Sequence, residues 1–360
     1  MRVDSTRVGR YLRAGGRWAR LIARPRRGPG IRVFYGHDRI PGPGEAVSGG
    51  TQKFQRLSER FPNRPTDFNL LYLGSSSLPR DLRALLWLAR RRDVPVVVNQ
   101  NGVAFPAWAG GRVDEINRRL RSALLAADHV LYLSAFCKQA GDRFLGEPRG
   151  SWEVLHHAVD VESFTPAESP PAGGPVMLLS GDQLFSHRIE LALRTVKALS
   201  ADYPDVRLLV SGRLAVAFEP LLDELDLRTK VDLVGRYRQQ DAPALYRRAH
   251  LLLHTQVNDA GPSTVIEAMS CGLPVVYAAS GGTVELVGDE AGIGVPHPGG
   301  WERYQPPAPE EMAVSVARVL GDLDRYRESA RRRAVERFAL PPWLARHEAL
   351  FEKLTGERSA

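Results

Sequence analysis

Compact apolar blocks recur along the chain at Arg32–Gly36, Phe68–Leu73, Val94–Val98, His129–Leu133, Val176–Gly181, Arg207–Ser211, Val231–Val234, His250–His254 and Leu273–Tyr277. Longer segments with apolar positions at helical spacing stand apart from them: Asp81–Arg92, Val113–Ala127, Met312–Leu320, Asp324–Phe338 and Trp343–Leu354. A strand with little polar alternation is buried on both faces, so blocks of this kind separated by helical segments predict parallel sheets covered by helices on both sides. The Pro-, Gly- and Ala-rich stretch 165–175 reads as a linker between two such units. The pattern predicts an α/β chain with an arm at 1–30, parallel-sheet domains at 31–165 and 166–340, and a last helical segment at 341–360.

One stretch, Asn258–Val276, has defined ends. Pro262 sits where a first-turn proline is tolerated, Ser263 and Thr264 are capping residues, and Gly272 can take the left-handed conformation that stops a helix before the apolar strand. A helix start offers backbone N–H groups and the positive end of the helix dipole, which suits a diphosphate. Glu267 lies one turn beyond Ser263 on the same face, placed to accept hydrogen bonds from two ribose hydroxyls.

Length and composition then limit the classes. The chain of 360 residues is 43% apolar and 25% charged, as expected for two ordinary globular domains. Its two cysteines, Cys137 and Cys271, supply no disulfide framework, and no apolar run is long enough to span a bilayer or form a signal core. A cytoplasmic location is expected. The net charge of +8 equals the excess within residues 1–30, which hold nine arginines and a single acid, Asp4. Arg10, Arg13, Arg17, Arg20 and Arg24 form one helical stripe, with Tyr11, Leu12, Trp18 and Ile22 opposite. This pattern predicts that residues 7–24 lie on an anionic membrane surface, at the inner face. A frayed arm, a helix packed on the body and a nucleic-acid arm are the alternatives, and nucleic acid is not the expected partner.

At Asp259, Glu267, the run Ala268–Val275 and Gly281-Gly282-Thr283-Val284-Glu285, the chain resembles the retaining glycosyltransferases of family 4. That resemblance implies the GT-B arrangement, two Rossmann-like domains facing each other across a cleft, with the closing segment crossing back onto the first domain. It also implies transfer of a sugar from a nucleotide diphosphate sugar to an acceptor hydroxyl, with retention and without a metal or other cofactor. On the matching positions, Gly261, Pro262, Ser263, Thr264 and Glu267 would hold the donor, and Asp259 would face its sugar. Gly49 and Gly50 match the family's glycine loop after the first strand, and Arg236 and Tyr237 stand where the family meets the nucleotide base.

Three positions depart from the family pattern. Asp259 replaces the usual glutamate, Asn101 stands where a histidine often precedes the glycine, and Asp182-Gln183 occupy the place of an arginine. Arg188 is the candidate for the remaining diphosphate cation, against the plainer reading of a surface arginine at a helix start. The neighbouring His156 and His157 would point to opposite faces of a strand and are not a metal site. A non-catalytic nucleotide-sugar binder and a nucleotide-sugar epimerase remain as alternatives. Acceptor, sugar and base are not legible.

Overall fold

The computed structural model describes residues 29–42, 45, 49–215 and 217–356, so the basic segment 7–24 lies outside the described residues. Two parallel sheets organise them. The first has the order β1-β2-β3-β4-β5, with strands Val33–Phe34, Leu70–Gly74, Val96–Gln100, His129–Tyr132 and Ser151–Val154. The second has the order β11-β10-β9-β6-β7-β8. Its strands, β6 to β11 in chain order, are Val176–Leu179, Arg207–Ser211, Val231–Gly235, Leu251–His254, Val275–Ala278 and Gly292–Val295. Strands β5 and β11 were not anticipated; β5 presents exposed Ser151 and Trp152, and β11 contains two glycines, so neither carries the apolar signature of a central strand.

The first sheet shows why continuous apolar runs were required. Val33, Leu70, Tyr72, Val97 and Leu131 enter one core, while Phe34, Leu71, Leu73, Val98 and Val130 enter another. Successive side chains of a strand alternate between faces, so both faces need cover. Helices α2 (Leu82–Arg91), α4 (Val113–Leu124) and α5 (Ala135–Phe144) supply it on one side, with the short α3 (Pro106–Ala109) before α4. On the other side stand α1 (Gly49–Arg60) and a helix from the far end of the chain, whose Trp343, Leu350 and Phe351 join the core of Tyr35, Phe54 and Tyr72.

The second sheet is covered by α6 (Ser186–Leu199), α7 (Glu219–Glu224), α8 (Ala242–Tyr246), α9 (Ser263–Ser270), α10 (Thr283–Val287), α11 (Pro309–Gly321) and α12 (Leu323–Phe338). The chain then crosses back. Val159 bridges Ala339 in parallel, and α13 (Leu340–Thr355) packs on the first sheet. His347 of α13 is fully buried there; its Nδ1 donates to the Trp343 carbonyl at 2.9 Å and its Nε2 accepts from the Tyr72 hydroxyl at 3.1 Å.

The order of the second sheet matters for function. The chain enters at β6, moves outward to β8, then returns to β9 on the other side of β6. The loops after β6 and β9 therefore diverge, leaving a crevice at the carboxyl ends of these strands, where open α/β sheets bind ligands.

Candidate active site

Both loops at that crevice carry charged residues. The β6 loop runs into α6, where Arg188 is buried in the first turn. Its Nη1 donates to the Asp182 carbonyl at 2.7 Å and its Nη2 to the Ser180 carbonyl at 3.1 Å, while Nε has no partner. Burial works against the guanidinium charge, and Asp259 and Asp182 offset part of that cost. The Thr255 hydroxyl donates to the Arg188 carbonyl at 2.8 Å, tying the start of α6 to the loop after β9.

Asp259 lies on that second loop, partly exposed to the crevice. Its Oδ2 is 3.5 Å from His254 Nε2 and its Oδ1 accepts from the Gly261 N–H at 3.4 Å. Desolvation raises its pKa, but His254 and Arg188 outweigh that effect and hold it below the ordinary carboxylate value. Burial depresses His254 in turn.

The loop is braced from two sides. Gly282 N–H donates to the Asp259 carbonyl at 2.7 Å. A Cβ on Gly281 would lie 2.3 Å from the Asp259 carbonyl oxygen, and one on Gly282 would lie 2.4 Å from that of Ala260. Close backbone approach thus explains the glycine pair of the Gly-Gly-x-x-Glu motif. The glutamate of that motif reaches the other sheet: the Glu285 carboxylate accepts the Ala135 and Phe136 N–H groups at 2.8 and 2.9 Å, capping α5.

Helix α9 begins at Ser263, as expected, but Pro262 occupies the cap position and no side chain caps the helix. Ser263 and Thr264 already have helical geometry and so do not act as caps, which require extended backbone. The other end matches the expectation. Gly272 has φ +74° and Leu273 N–H returns to the Ala268 carbonyl at 2.9 Å.

Glu267 differs from the expected open ribose acceptor. Its side chain is 3% exposed. Oε1 accepts from Gln239 at 2.8 Å and from Gln52 at 3.3 Å, and Oε2 accepts from the Tyr246 hydroxyl at 3.1 Å. Arg56 Nη2 stands 3.8 Å away. Gln52 and Arg56 belong to α1, so a helix of the first sheet reaches across onto this carboxylate. Gly49 and Gly50, expected in a loop, form the first turn of that helix. Buried Phe54 and Leu57 hold α1 in place, and tertiary burial overrides the weak helix propensity of glycine.

Sequence reasoning passed over α1 as a polar helix start, although Gln52, Lys53 and Arg56 at adjoining positions of one helix were the available signal. Lys53 is buried; its ammonium donates to the side-chain oxygens of Asn99 and Asn101, and burial lowers its pKa to about 7. Asn101 also donates to Ser76 Oγ at 2.5 Å. Tyr237 shares a 3.1 Å hydrogen bond with Ser180, whereas Arg236 is exposed. His156 and His157 lie beyond the end of β5 and so are not on a strand as expected; His156 Nδ1 donates to the Leu133 carbonyl at 2.7 Å. No group of three or more metal-ligating side chains occurs among the described residues.

Between the sheets lies a cavity of about 550 Å³. Asp182, Arg188 and Asp259 line one end together with Asn101, Ser75 and Ser76. The remaining wall is mostly apolar, with several aromatic rings and with Gln256 and Asn258 as polar members. It includes Trp301 and Tyr304 from the loop between β11 and α11, a loop that sequence reasoning did not single out. Trp301 stacks on Phe136 with ring centres 5.0 Å apart, and its carbonyl accepts the Ala107 N–H at 2.8 Å.

The family model described as glycosyl transferases group 1 matches residues 161–334, the span holding the second sheet, Arg188, Asp259, Glu267 and Glu285. Residues 161–334 are thus similar to the group 1 glycosyl transferases. Similar proteins include the phosphatidylinositol N-acetylglucosaminyltransferase gpi3 subunit of Schizosaccharomyces pombe, 23% identical over 57% of this chain and 44% of that one. The D-inositol 3-phosphate glycosyltransferase of Mycolicibacterium smegmatis is 31% identical over 56% of this chain and 51% of that one. The chain thus spans about half the length of these curated relatives.

Among solved structures, a sucrose-phosphate synthase from Thermosynechococcus elongatus superposes with a TM-score of 0.65 at 18% identity, covering 84% of this chain and 76% of that one. HepE of Anabaena, solved with UDP, gives 0.64 at 18% identity, covering 79% of each chain. At such identities the likeness shows the fold. The two sheets with their covering helices form the GT-B arrangement.

Proposed function

We propose that this protein is a retaining glycosyltransferase that moves a sugar from a nucleotide diphosphate sugar to an acceptor hydroxyl. The observation that carries the reading is the convergence of Arg188, Asp259 and the uncapped start of α9 at the crevice between β6 and β9. Residues 31–165 serve the acceptor and 166–340 the donor. The diphosphate lies at Gly261–Thr264, where backbone N–H groups and Arg188 take up the charge that develops as the sugar leaves. Glu267 binds the ribose by exchanging some of its present partners, Arg236 and Tyr237 flank the base, and Asp259 orients the sugar hydroxyls. The acceptor attacks from the face the phosphate leaves, and a departing phosphate oxygen accepts its proton, so no protein nucleophile is needed. UDP bound to HepE supports uracil as the base.

The test is UDP release from UDP-sugars by the full chain, with and without EDTA, beside thermal shifts with UDP, GDP, ADP and TDP. Transfer that persists in EDTA is expected. Stabilisation by a nucleotide with no release from its sugars would instead indicate a binder. The described residues contain no helix long and apolar enough to cross a membrane. We assign residues 7–24 to an anionic membrane surface, and equal co-sedimentation with anionic and neutral vesicles would count against that role.

A further inference from the structure

We infer that the acceptor is an uncharged molecule whose hydroxyl is attached to an apolar ring or chain, rather than a free polyol or a sugar phosphate. This inference rests on the transferase reading and names the substrate class for the same site.

The first observation is which residues surround the cavity. None of Gly235, Arg236, Tyr237, Gln239 and Glu267 lines it, so it is separate from the region assigned to the nucleoside. It meets the donor region at Arg188, Asp259 and Ala260, then extends into the first domain past Phe105, Trp108, Ile116, Leu120 and Phe136. A molecule filling it therefore presents one end to the departing sugar and the rest to apolar side chains.

The second observation is charge. The charged residues of the wall are Asp182, Asp259 and Arg188. Both terminal nitrogens of Arg188 already donate to backbone carbonyls. Asp182 is paired with Arg213 at 3.7 Å and Arg188 is assigned to the donor diphosphate, so a phosphate monoester on the acceptor would face Asp259 without a cation of its own, an unfavourable arrangement in a site walled by low-dielectric groups. A neutral hydroxyl suits the polar end, where Asn101, Ser75 and Ser76 supply donors and acceptors.

The third is that both domains build the apolar wall. Trp301 and Tyr304 come from the loop after β11 and pack against Phe105 of the other domain at 5.3 and 6.2 Å between ring centres. An apolar acceptor would be clasped by this aromatic surface on both sides, while a polyol would lose hydration against these rings and find partners only at the polar members of the wall, Ser75, Ser76, Asn101, Gln256 and Asn258 among them.

The test measures binding to the full chain by intrinsic fluorescence, using 2-naphthol as an aromatic probe, n-octanol as an aliphatic one, and myo-inositol and its 3-phosphate as polar ones. At least one apolar probe should bind at least ~10-fold more tightly than either inositol, the scale set by a few methylenes in a pocket. Trp108→Ala, which alters a half-exposed wall residue, should weaken that probe ~10-fold while UDP still raises the melting temperature. Ile116→Trp, which fills the cavity, should weaken it as well, and a folded Trp108→Ala protein keeps the test valid if this variant does not fold. The comparison of naphthol with octanol distinguishes an aromatic aglycone from a lipid chain.

Tighter binding of an inositol, or apolar binding indifferent to Trp108→Ala, overturns the inference. If UDP-sugars are turned over while no apolar probe binds, the inference fails and the transferase reading stands. If apolar probes bind but no nucleotide binds and no sugar is released, the transferase reading fails and takes the inference with it.

Discussion

Asp259 and Glu267 stand one short stretch apart, yet the fold puts them in opposite situations. Asp259 faces a cavity, with one histidine at 3.5 Å and a backbone N–H at 3.4 Å as its partners. Glu267 is sealed beneath two glutamines, a tyrosine hydroxyl and an arginine. Two of those four come from α1 in the other half of the molecule. A carboxylate that is accessible can serve orientation and selectivity, while one that is already satisfied joins the domains and must exchange partners to bind a ribose.

The largest effect is therefore expected at the sealed end. Glu267→Ala leaves Arg56 buried beside an absent partner and should lower stability by about 3–5 kcal/mol in urea unfolding. Glu267→Gln keeps the shape and should weaken nucleotide binding by about 1.5–3 kcal/mol, roughly ten- to a hundred-fold. In a double-mutant cycle with Arg56→Leu, a coupling energy of zero would break the comparison, because the two ends would then be equally independent of the other domain.

At the open end, Arg188→Ala should lower turnover about 100- to 1000-fold, with a smaller change in donor affinity, since its charge is needed most as the diphosphate leaves. Arg188→Lys should recover little, because an ammonium cannot reproduce the two-carbonyl fork. Equal losses in turnover and affinity would place Arg188 in ground-state binding instead.

A pH titration sharpens the contrast further. His187 packs on Tyr304 with ring centres 4.2 Å apart, and burial together with Arg188 pushes its pKa down to about 4. Its unfolded value is ~6.5. Between those values the unfolded chain binds more protons, so the contribution of a neutral His187 is present above pH ~6.5 and is lost as pH falls towards 4, about 3 kcal/mol in all. Melting curves from pH 7.5 to 4.5 should show a slope that His187→Phe reduces. Asp259, whose folded value is also lowered, adds a loss of the same sign in stronger acid.

The smallest effect is expected for Asp259→Asn. UDP affinity should stay at the parent level while selectivity between donor sugars falls, up to ~10-fold, when turnover of UDP-glucose and UDP-N-acetylglucosamine is compared. A large loss of UDP affinity would mean that Asp259 binds the nucleotide rather than the sugar.

How much of this was legible varied by position. Apart from β5 and β11, the strands of both sheets followed from their apolar runs, because a residue pair such as Leu70 and Leu71 must satisfy two cores. Gly272 announced the end of α9, because few other residues adopt its φ of +74°. Gly281 and Gly282 were legible as a motif, though their reason, the approach to the Asp259 loop, was not. Trp301 sat in a Gly- and Pro-rich segment with no periodicity to place it, and it meets Phe136, more than a hundred positions away, only after both domains have folded.

The amino-acid pattern by itself determined local matters: the apolar central strands and the long periodic helices, where α9 begins and ends, that residues 1–30 carry the excess charge, and where the motif around Asp259, Glu267 and Glu285 lies. Those follow from periodicity, backbone restriction and composition, which act over a few neighbouring residues. Only the tertiary structure decided that Gln52 and Arg56 cover Glu267, that Glu285 caps a helix of the other domain, and that aromatic rings from both halves enclose the cavity beside Asp259. Each of these is a contact between side chains far apart in the chain. Their pairing depends on how two separately folded sheets dock, and no local preference encodes that geometry.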